Sequence, residues 1–258
     1  MPTARPGSKQ SPNPIDLPQR VIFLHIAKTA GTSIVHFFRK RLPRRFVCAH
    51  GDFLNLPEGK RARMNTLRRY RFLSGHFGYD IIAPLMSDSY SFTFLRDPVD
   101  RVLSFYKFCM HPDMQKQFLV ARMARDEGID GFISSTVPEI VEMLDNQQTW
   151  QLANTYWYKD RQAMNHLTDT ELFDLAVSHL DEFSRVGLQE TFDRDFAAIL
   201  ADLNIDQEIP EFKHYVTPEP ISRESLKAST LETLQNRVAL DQQLYQRVIA
   251  DRMSSASD

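Results

Sequence analysis

The segment HIAKTAGTS, His25 to Ser33, sets a lysine, a glycine and hydroxyls between an apolar run and an amphipathic one. Free N–H groups at a helix start and the positive end of its dipole favour an anion. Gly31 lets the backbone approach such an anion closely, Thr32 and Ser33 offer hydroxyl donors, and Lys28 adds a point charge. The same residues would also make an ordinary strand-to-helix turn with a hydroxyl cap and a solvated lysine. The loop is not a Walker A motif: in GxxxxGK[ST] the lysine follows the second glycine, whereas Lys28 precedes Gly31. Arg96, closing the run SFTFLR, brings a guanidinium whose fork matches a phosphate in bidentate fashion. Its plain alternative is an ion pair with Asp97 or Asp100. His76, in FLSGHFGYD, lies between Gly75 and Gly78, where a substrate has room to approach, and imidazole is the natural base near neutral pH. A loop or core histidine would look the same.

These residues need a scaffold, and the apolar pattern supplies one. Val21 to Leu24 form a continuous apolar run that suits a strand covered on both faces of a parallel sheet. From Thr32, the spacing of Ile34, Val35, Phe37 and Phe38, with Arg39 to Arg41 in the last turn and Pro43 beyond, predicts a helix. A second strand-to-helix unit runs from Tyr90 to Arg96 into DPVDRVLSFYKF. There Asp97 can cap the helix, Pro98 suits its first position and Asp100 adds favourable first-turn charge. Tyr70 to Ser74 reads as a further strand, Val47 belongs to another, Ser184 to Leu188 to a late one, and Lys60 to Arg69 is helical. Beyond Met110 helical patterns predominate, at Met114–Arg125, Val137–Ala153, Asp169–His179, Phe192–Leu203 and Arg223–Met253. The expected class is α/β: a P-loop-like parallel sheet flanked by helices, with a mainly helical C-terminal half.

At 258 residues and 42% hydrophobic, the chain can bury one substantial core. Residues 1–19, with four prolines before Leu17, read as a disordered leader ahead of a single domain over 20–258. The formal net charge of -2 gives no global reason to expect nucleic acid or an anionic membrane, so an anion site must be local. Cys48 and Cys109 form neither a disulfide framework nor a zinc spacing. With no signal-like apolar region and no stretch long enough to span a bilayer, the expected location is cytoplasmic.

The loop HIAKTAGTS resembles the 5′-phosphosulfate-binding loop, usually HIPKTAGTS, of the sulfotransferases that use 3′-phosphoadenosine 5′-phosphosulfate (PAPS), including the heparan sulfate 2-O-sulfotransferases and related carbohydrate enzymes. Ala27 stands where that family usually has proline. The resemblance implies that Lys28 contacts the oxygen bridging phosphate and sulfate, and that Thr29, Ala30, Gly31, Thr32 and Ser33 hold the 5′ phosphate. FTFLRDPVDRVLSFYKF resembles the family's 3′-phosphate element, which implies phosphate contacts from Arg96 and from Ser104, eight residues later and two helical turns beyond the cap. Arg101 matches the element as well, with a bracing role open. The family's GH motif implies that His76 is the catalytic base; His25 would orient the loop, and His50 is a reserve candidate. NQQTWQLA is similar to an NxQTRxLA-like segment with Trp150 in place of arginine, VGLQETFD to VGLxExFD, and HYVTPEP, more loosely, to the loop over the nucleotide, which suggests Thr217 as a contact.

The activity so implied is sulfuryl transfer from PAPS, leaving 3′-phosphoadenosine 5′-phosphate (PAP), onto an acceptor hydroxyl on a saccharide or glycolipid, with no metal required. Two rivals stay open at this stage. One is a P-loop kinase-like phosphotransferase, which would need ATP and magnesium. The other is a non-catalytic module that binds PAP or a polyanion.

Overall fold

Five apolar runs pair into one parallel sheet. In the computed structural model, which describes residues 14–53, 55–56, 60–154, 161–162, 164, 166–207 and 221–255, the strands are β1 (Arg20–Leu24), β2 (Val47–Cys48), β3 (Phe72–Gly75), β4 (Ser89–Leu95) and β5 (Arg185–Leu188). Their order is β2-β3-β1-β4-β5. Every pairing is parallel, with Leu24 opposite Gly75 on one side and Thr93 on the other. The described helices are α1 (Gly31–Arg41), α2 (His50–Phe53), α3 (Lys60–Leu67), α4 (Tyr79–Met86), α5 (Pro98–Cys109), α6 (Pro112–Gln117) and α7 (Leu119–Ser134). They continue with α8 (Pro138–Leu144), α9 (Gln147–Ala153), α10 (Asp169–Leu180), α11 (Phe192–Asp202), α12 (Ala228–Arg237) and α13 (Ala239–Ser255).

The sheet is buried on both faces, as the unbroken apolar run of β1 requires. Val21 and Phe23 join Phe37, Phe38, Phe72, Phe92, Phe94 and Phe196 on one face, under α1 and α11. Ile22 and Leu24 join Leu73, Leu95, Ile82, Leu152 and Leu244 on the other, under α4, α9 and α13. The first face is largely aromatic: Phe23 stacks on Phe92 at 4.9 Å and Phe38 on Phe72 at 4.2 Å between ring centroids. Burying each such ring contributes ~2–3 kcal/mol. A third cluster, built around Val102, Tyr106, Phe132, Ile140 and Leu234, joins α5, α7, α8 and α12 beyond the sheet.

Several boundaries differ from those expected. Leu17 is only 2% exposed, Ile15 donates its N–H to the Arg41 carbonyl, and Arg71 reaches the Leu17 carbonyl, so the packed chain begins before Arg20. The helix expected over Val137–Ala153 is two helices, α8 and α9, because Asn146 adopts φ 44 between them. Its Oδ1 accepts the N–H groups of Leu240 and Asp241, capping α13. Asp241, fully buried, returns the service by accepting from Gln148 N, Thr149 N and Thr149 Oγ1, capping α9. Two helix N-termini thus satisfy each other across more than 90 residues of sequence. The pattern read as Met114–Arg125 is likewise interrupted at the extended Phe118, which separates α6 from α7, and Arg223–Met253 divides at Val238 into α12 and α13 after a 3₁₀ turn. Helix α4 follows the GHFG segment without a distinguishing sequence signal. No helix among the described residues is long and apolar enough to cross a membrane.

One consequence of the register positions the chemistry. His25, His76 and Arg96 are each the residue immediately after a strand, on β1, β3 and β4, and these three strands are neighbours. All three therefore emerge at the carboxyl edge of the sheet, where open α/β folds bind ligands.

Candidate active site

The loop after β1 is shaped for an anion through its backbone. Lys28 and Ala30 have φ of 72° and 68°, in the left-handed region that L-residues rarely adopt. Such reversals turn successive N–H groups toward one concavity, the arrangement of phosphate-binding nests. Ala30 is also the N-cap of α1 and provides no side-chain cap, so the α1 terminus faces the loop with its dipole uncompensated by a side chain. Thr32 is exposed and Ser33 buried at the first turn. Thr29 is fully buried and its Oγ1 donates to the Ile26 carbonyl at 2.9 Å, so its hydroxyl braces the loop. Gly31 is also required by the packing of the loop. A Cβ there would lie 1.8 Å from Nε2 of His25, whose ring occupies the space beside it. His25 thus orients the loop by packing on it.

That close approach yields a first expectation. Gly31→Ala should force His25 or the loop to move, destabilising the protein by ~1–3 kcal/mol in chemical denaturation. It should also weaken anion binding at the loop, read by calorimetry with inorganic pyrophosphate. A variant with both properties unchanged would mean that the His25 ring is not a fixed part of the loop.

Lys28 is the cation of the site. Burial, and then repulsion from Arg96, push it down from an ordinary 10.5 to about 8. Its Nζ lies 4.6 Å from the Phe108 ring centroid, a partial compensation for lost water. Cys109 itself is pushed up to about 12, chiefly by burial, so it is a thiol.

Arg96 joins this cation from the next strand. Its Nη1 donates to the Lys28 carbonyl at 3.2 Å, while its Nε is buried with no hydrogen-bond partner among the described residues. The ion pair with Asp97 or Asp100, the plain alternative from sequence, does not form. Arg223 takes both carboxylates instead, bonding Asp97 and reaching Asp100 at 3.0 Å. Asp97 meanwhile caps α5 through the Asp100 N–H, as its sequence context predicts. Ser104 is half-buried on α5, one turn before Phe108 and hence on the face that carries the ring under Lys28. Arg101 is a brace: fully buried, it bonds Gln147 Oε1 at 2.6 Å and the Met143 carbonyl at 2.8 Å.

His76 sits on the opposite side of β1 from Arg96. Its Nδ1 lies 2.7 Å from the His25 carbonyl, so that nitrogen carries the proton and Nε2 is the basic one. The His25 and His76 rings are 4.3 Å apart between centroids. Two residues that sequence reasoning missed hold this arrangement. Gln148 pairs with both the N–H and the carbonyl of Arg96 at 3.0 Å, and Gln151 Nε2 donates to the His25 carbonyl at 3.1 Å and to that of Phe77 at 2.8 Å. Their signal was three glutamines in NQQTWQLA, an amide density that a polar surface helix also has. Trp150, half-buried, carries the Arg161 guanidinium 5.5 Å over its ring. Thr217 and the HYVTPEP segment lie outside the described residues, as does the side chain of His50 in α2.

A cavity of about 570 Å³ elsewhere, between β5, α10, α11 and α13, is lined by Arg185, Arg194 and Arg252. Each of these is already paired with Asp202 or Asp195, so the cavity makes no demand for an anion. The described residues include no group of three or more His, Cys, Asp or Glu side chains placed to hold a metal ion.

A model described as the sulfotransferase family matches residues 15–251, nearly the whole chain. This protein belongs to the sulfotransferase family. No curated protein matches it. The match begins near Ile15, in keeping with the burial of Leu17. Membership agrees with a parallel sheet flanked by helices, makes the protein an enzyme of sulfuryl transfer to a hydroxyl-bearing acceptor, and sets aside the kinase-like phosphotransferase that the loop alone left open. The loop after β1 and the end of β4, 68 residues apart at Lys28 and Arg96, meet at one edge of the sheet.

Proposed function

We propose that this sulfotransferase uses PAPS as its donor and sulfates a hydroxyl of a saccharide or glycolipid by in-line displacement, with His76 as the general base. The observation that carries the reading is the contact of Arg96 with the Lys28 loop, which sets two cationic groups side by side at the carboxyl edge of the sheet. The donor set suits a bisphosphate: an uncapped helix terminus and left-handed loop for the 5′ phosphate, and a buried guanidinium with one unpartnered N–H for the 3′ phosphate. Thr29 to Thr32 would serve mainly through backbone N–H groups, Ser33 through its hydroxyl because its N–H goes to the Ala30 carbonyl, and Ser104 would assist Arg96. Thr217 remains part of the proposal by resemblance alone.

The donor supplies a sulfuryl group activated by its anhydride link to phosphate. The acceptor oxygen forms its bond to sulfur as the bond from sulfur to the bridging oxygen breaks. His76 Nε2 takes the hydroxyl proton, while Nδ1 keeps its own proton on the His25 carbonyl. Lys28 stabilises the charge that develops on the bridging oxygen. A cytoplasmic location is part of the same proposal, and fractionation of cells expressing the protein checks it.

Radiolabelled PAPS offered with a panel of oligosaccharides, glycolipids and simple alcohols, without added magnesium, tests the reaction. Label should pass to a saccharide-bearing acceptor; tight PAP binding with transfer to none of them would favour an inert binding module. Arg96→Ala provides the donor test. By calorimetry it should weaken PAP binding ~10–100-fold, the scale of a lost charge-assisted bond. Adenosine 5′-phosphosulfate, which lacks the 3′ phosphate, should be little affected. Equal losses for both ligands would remove the 3′ phosphate from Arg96.

A further inference from the structure

Helix α9 reaches both halves of the site with two amides on one face. Gln148 and Gln151 are three residues apart, so their side chains project in the same direction, and both are fully buried. Gln148 accepts the Arg96 N–H on Oε1 and donates Nε2–H to the Arg96 carbonyl, both at 3.0 Å. It continues the hydrogen-bond pattern of the sheet one residue past the end of β4, at the residue whose guanidinium reaches the Lys28 loop. Gln151 Nε2 donates to the His25 carbonyl, which also accepts from His76 Nδ1, and to the Phe77 carbonyl on the other side of His76.

The amide type is what these contacts need. A carboxylate at 148 would lose the donor to Arg96 O and neutralise a phosphate-binding cation; one at 151 would set negative charge against two carbonyls. The helix that carries them is itself fixed. Asp241 caps its first turn, and Gln147 is held by the buried Arg101. Neither glutamine is placed to meet a substrate, since both are enclosed.

We propose that Gln148 and Gln151 are positioning residues with separate outputs: Gln148 sets Arg96 for the donor, and Gln151 holds the carbonyl that keeps His76 in its Nδ1–H tautomer with Nε2 basic. This rests on the roles of Arg96 and His76 given above. A helix that merely stabilised the fold would not divide its effects in this way.

The test needs no acceptor. PAP binding is measured by calorimetry, and the His76 tautomer by long-range ¹⁵N–¹H correlation in histidine-labelled protein, for wild type, Gln148→Leu and Gln151→Leu. Gln148→Leu should weaken PAP ~10-fold with the His76 tautomer unchanged. Gln151→Leu should bind PAP within about twofold of wild type while the Nδ1–H to Nε2–H ratio falls ~10-fold. Where a leucine variant fails to fold, the Gln→Met change, which keeps the unbranched side-chain length and removes the amide without adding charge, is measured in its place. Wild-type PAP affinity in the first variant, or a wild-type tautomer ratio in the second, overturns the role of that residue. Loss of both properties in both variants overturns the division of labour and leaves α9 a general brace. Wild-type protein that binds no PAP overturns the donor reading, and the Gln148 role with it, while the Gln151 role is still decided by the tautomer.

Discussion

Lys28→Met should abolish sulfuryl transfer and, at neutral pH, make the protein more stable. The first effect follows from the role proposed for the ammonium beside the breaking bond: loss of one such preorganised charge lowers turnover by ~10³-fold. The second follows from the shift to about 8, which measures how poorly the folded protein tolerates that charge before a ligand arrives. Because the folded-state value lies below the unfolded one, the penalty is present in full below about 8 and fades as the pH rises toward 10.5. Its size is ~3 kcal/mol at most, less what the Phe108 contact returns, so ~1–3 kcal/mol and ~2–8 °C in Tm for a chain of this length. Denaturation of wild type and variant from pH 7 to 10.5 should show the gap closing over that window. A Lys28→Met protein less stable than wild type at pH 7 would mean that the lysine contributes more to the fold than it costs.

The same shift makes a kinetic statement. Free enzyme carries charged Lys28 below about 8, so kcat/KM for the donor should fall above that pH. A bound polyanion favours the ammonium and raises its pKa again, so PAP binding at pH 8–9 should take up a proton, visible as a buffer-dependent calorimetric enthalpy.

His76→Ala should lower turnover by ~10²–10⁴-fold, the range for loss of a positioned general base, and leave PAP affinity within about twofold. Geometry separates the two outcomes: His76 follows β3 and bonds the His25 carbonyl, whereas the groups proposed to bind the donor's phosphates follow β1 and β4. Lys28→Met, by contrast, should lose both binding and transfer. Full turnover in His76→Ala on a good acceptor would assign the proton to another group, and PAP binding lost along with turnover would make His76 part of the donor site.

Much of the site was legible because its signals are local. The apolar run Val21–Leu24, the Asp97-Pro98 cap and the Lys-Thr-Ala-Gly-Thr-Ser loop each depend on a few successive residues, whose propensities, charges and caps act over one turn or one strand. They were enough to draw the strands and the first helices and to single out Lys28, His76 and Arg96. Interactions between distant segments decided the remainder. Asn146 and Asp241 cap each other's helices and divide a pattern that reads as one helix; Arg223 takes the direct ion pairs of Asp97 and Asp100; Gln148 and Gln151 reach backbone groups 52 and 126 residues away in sequence. A buried amide or carboxylate is stabilised by whichever unpaired donor or carbonyl the fold brings to it. Nothing adjacent in the chain names that partner, so only the folded chain determines which polar residues serve the site and which hold it in place.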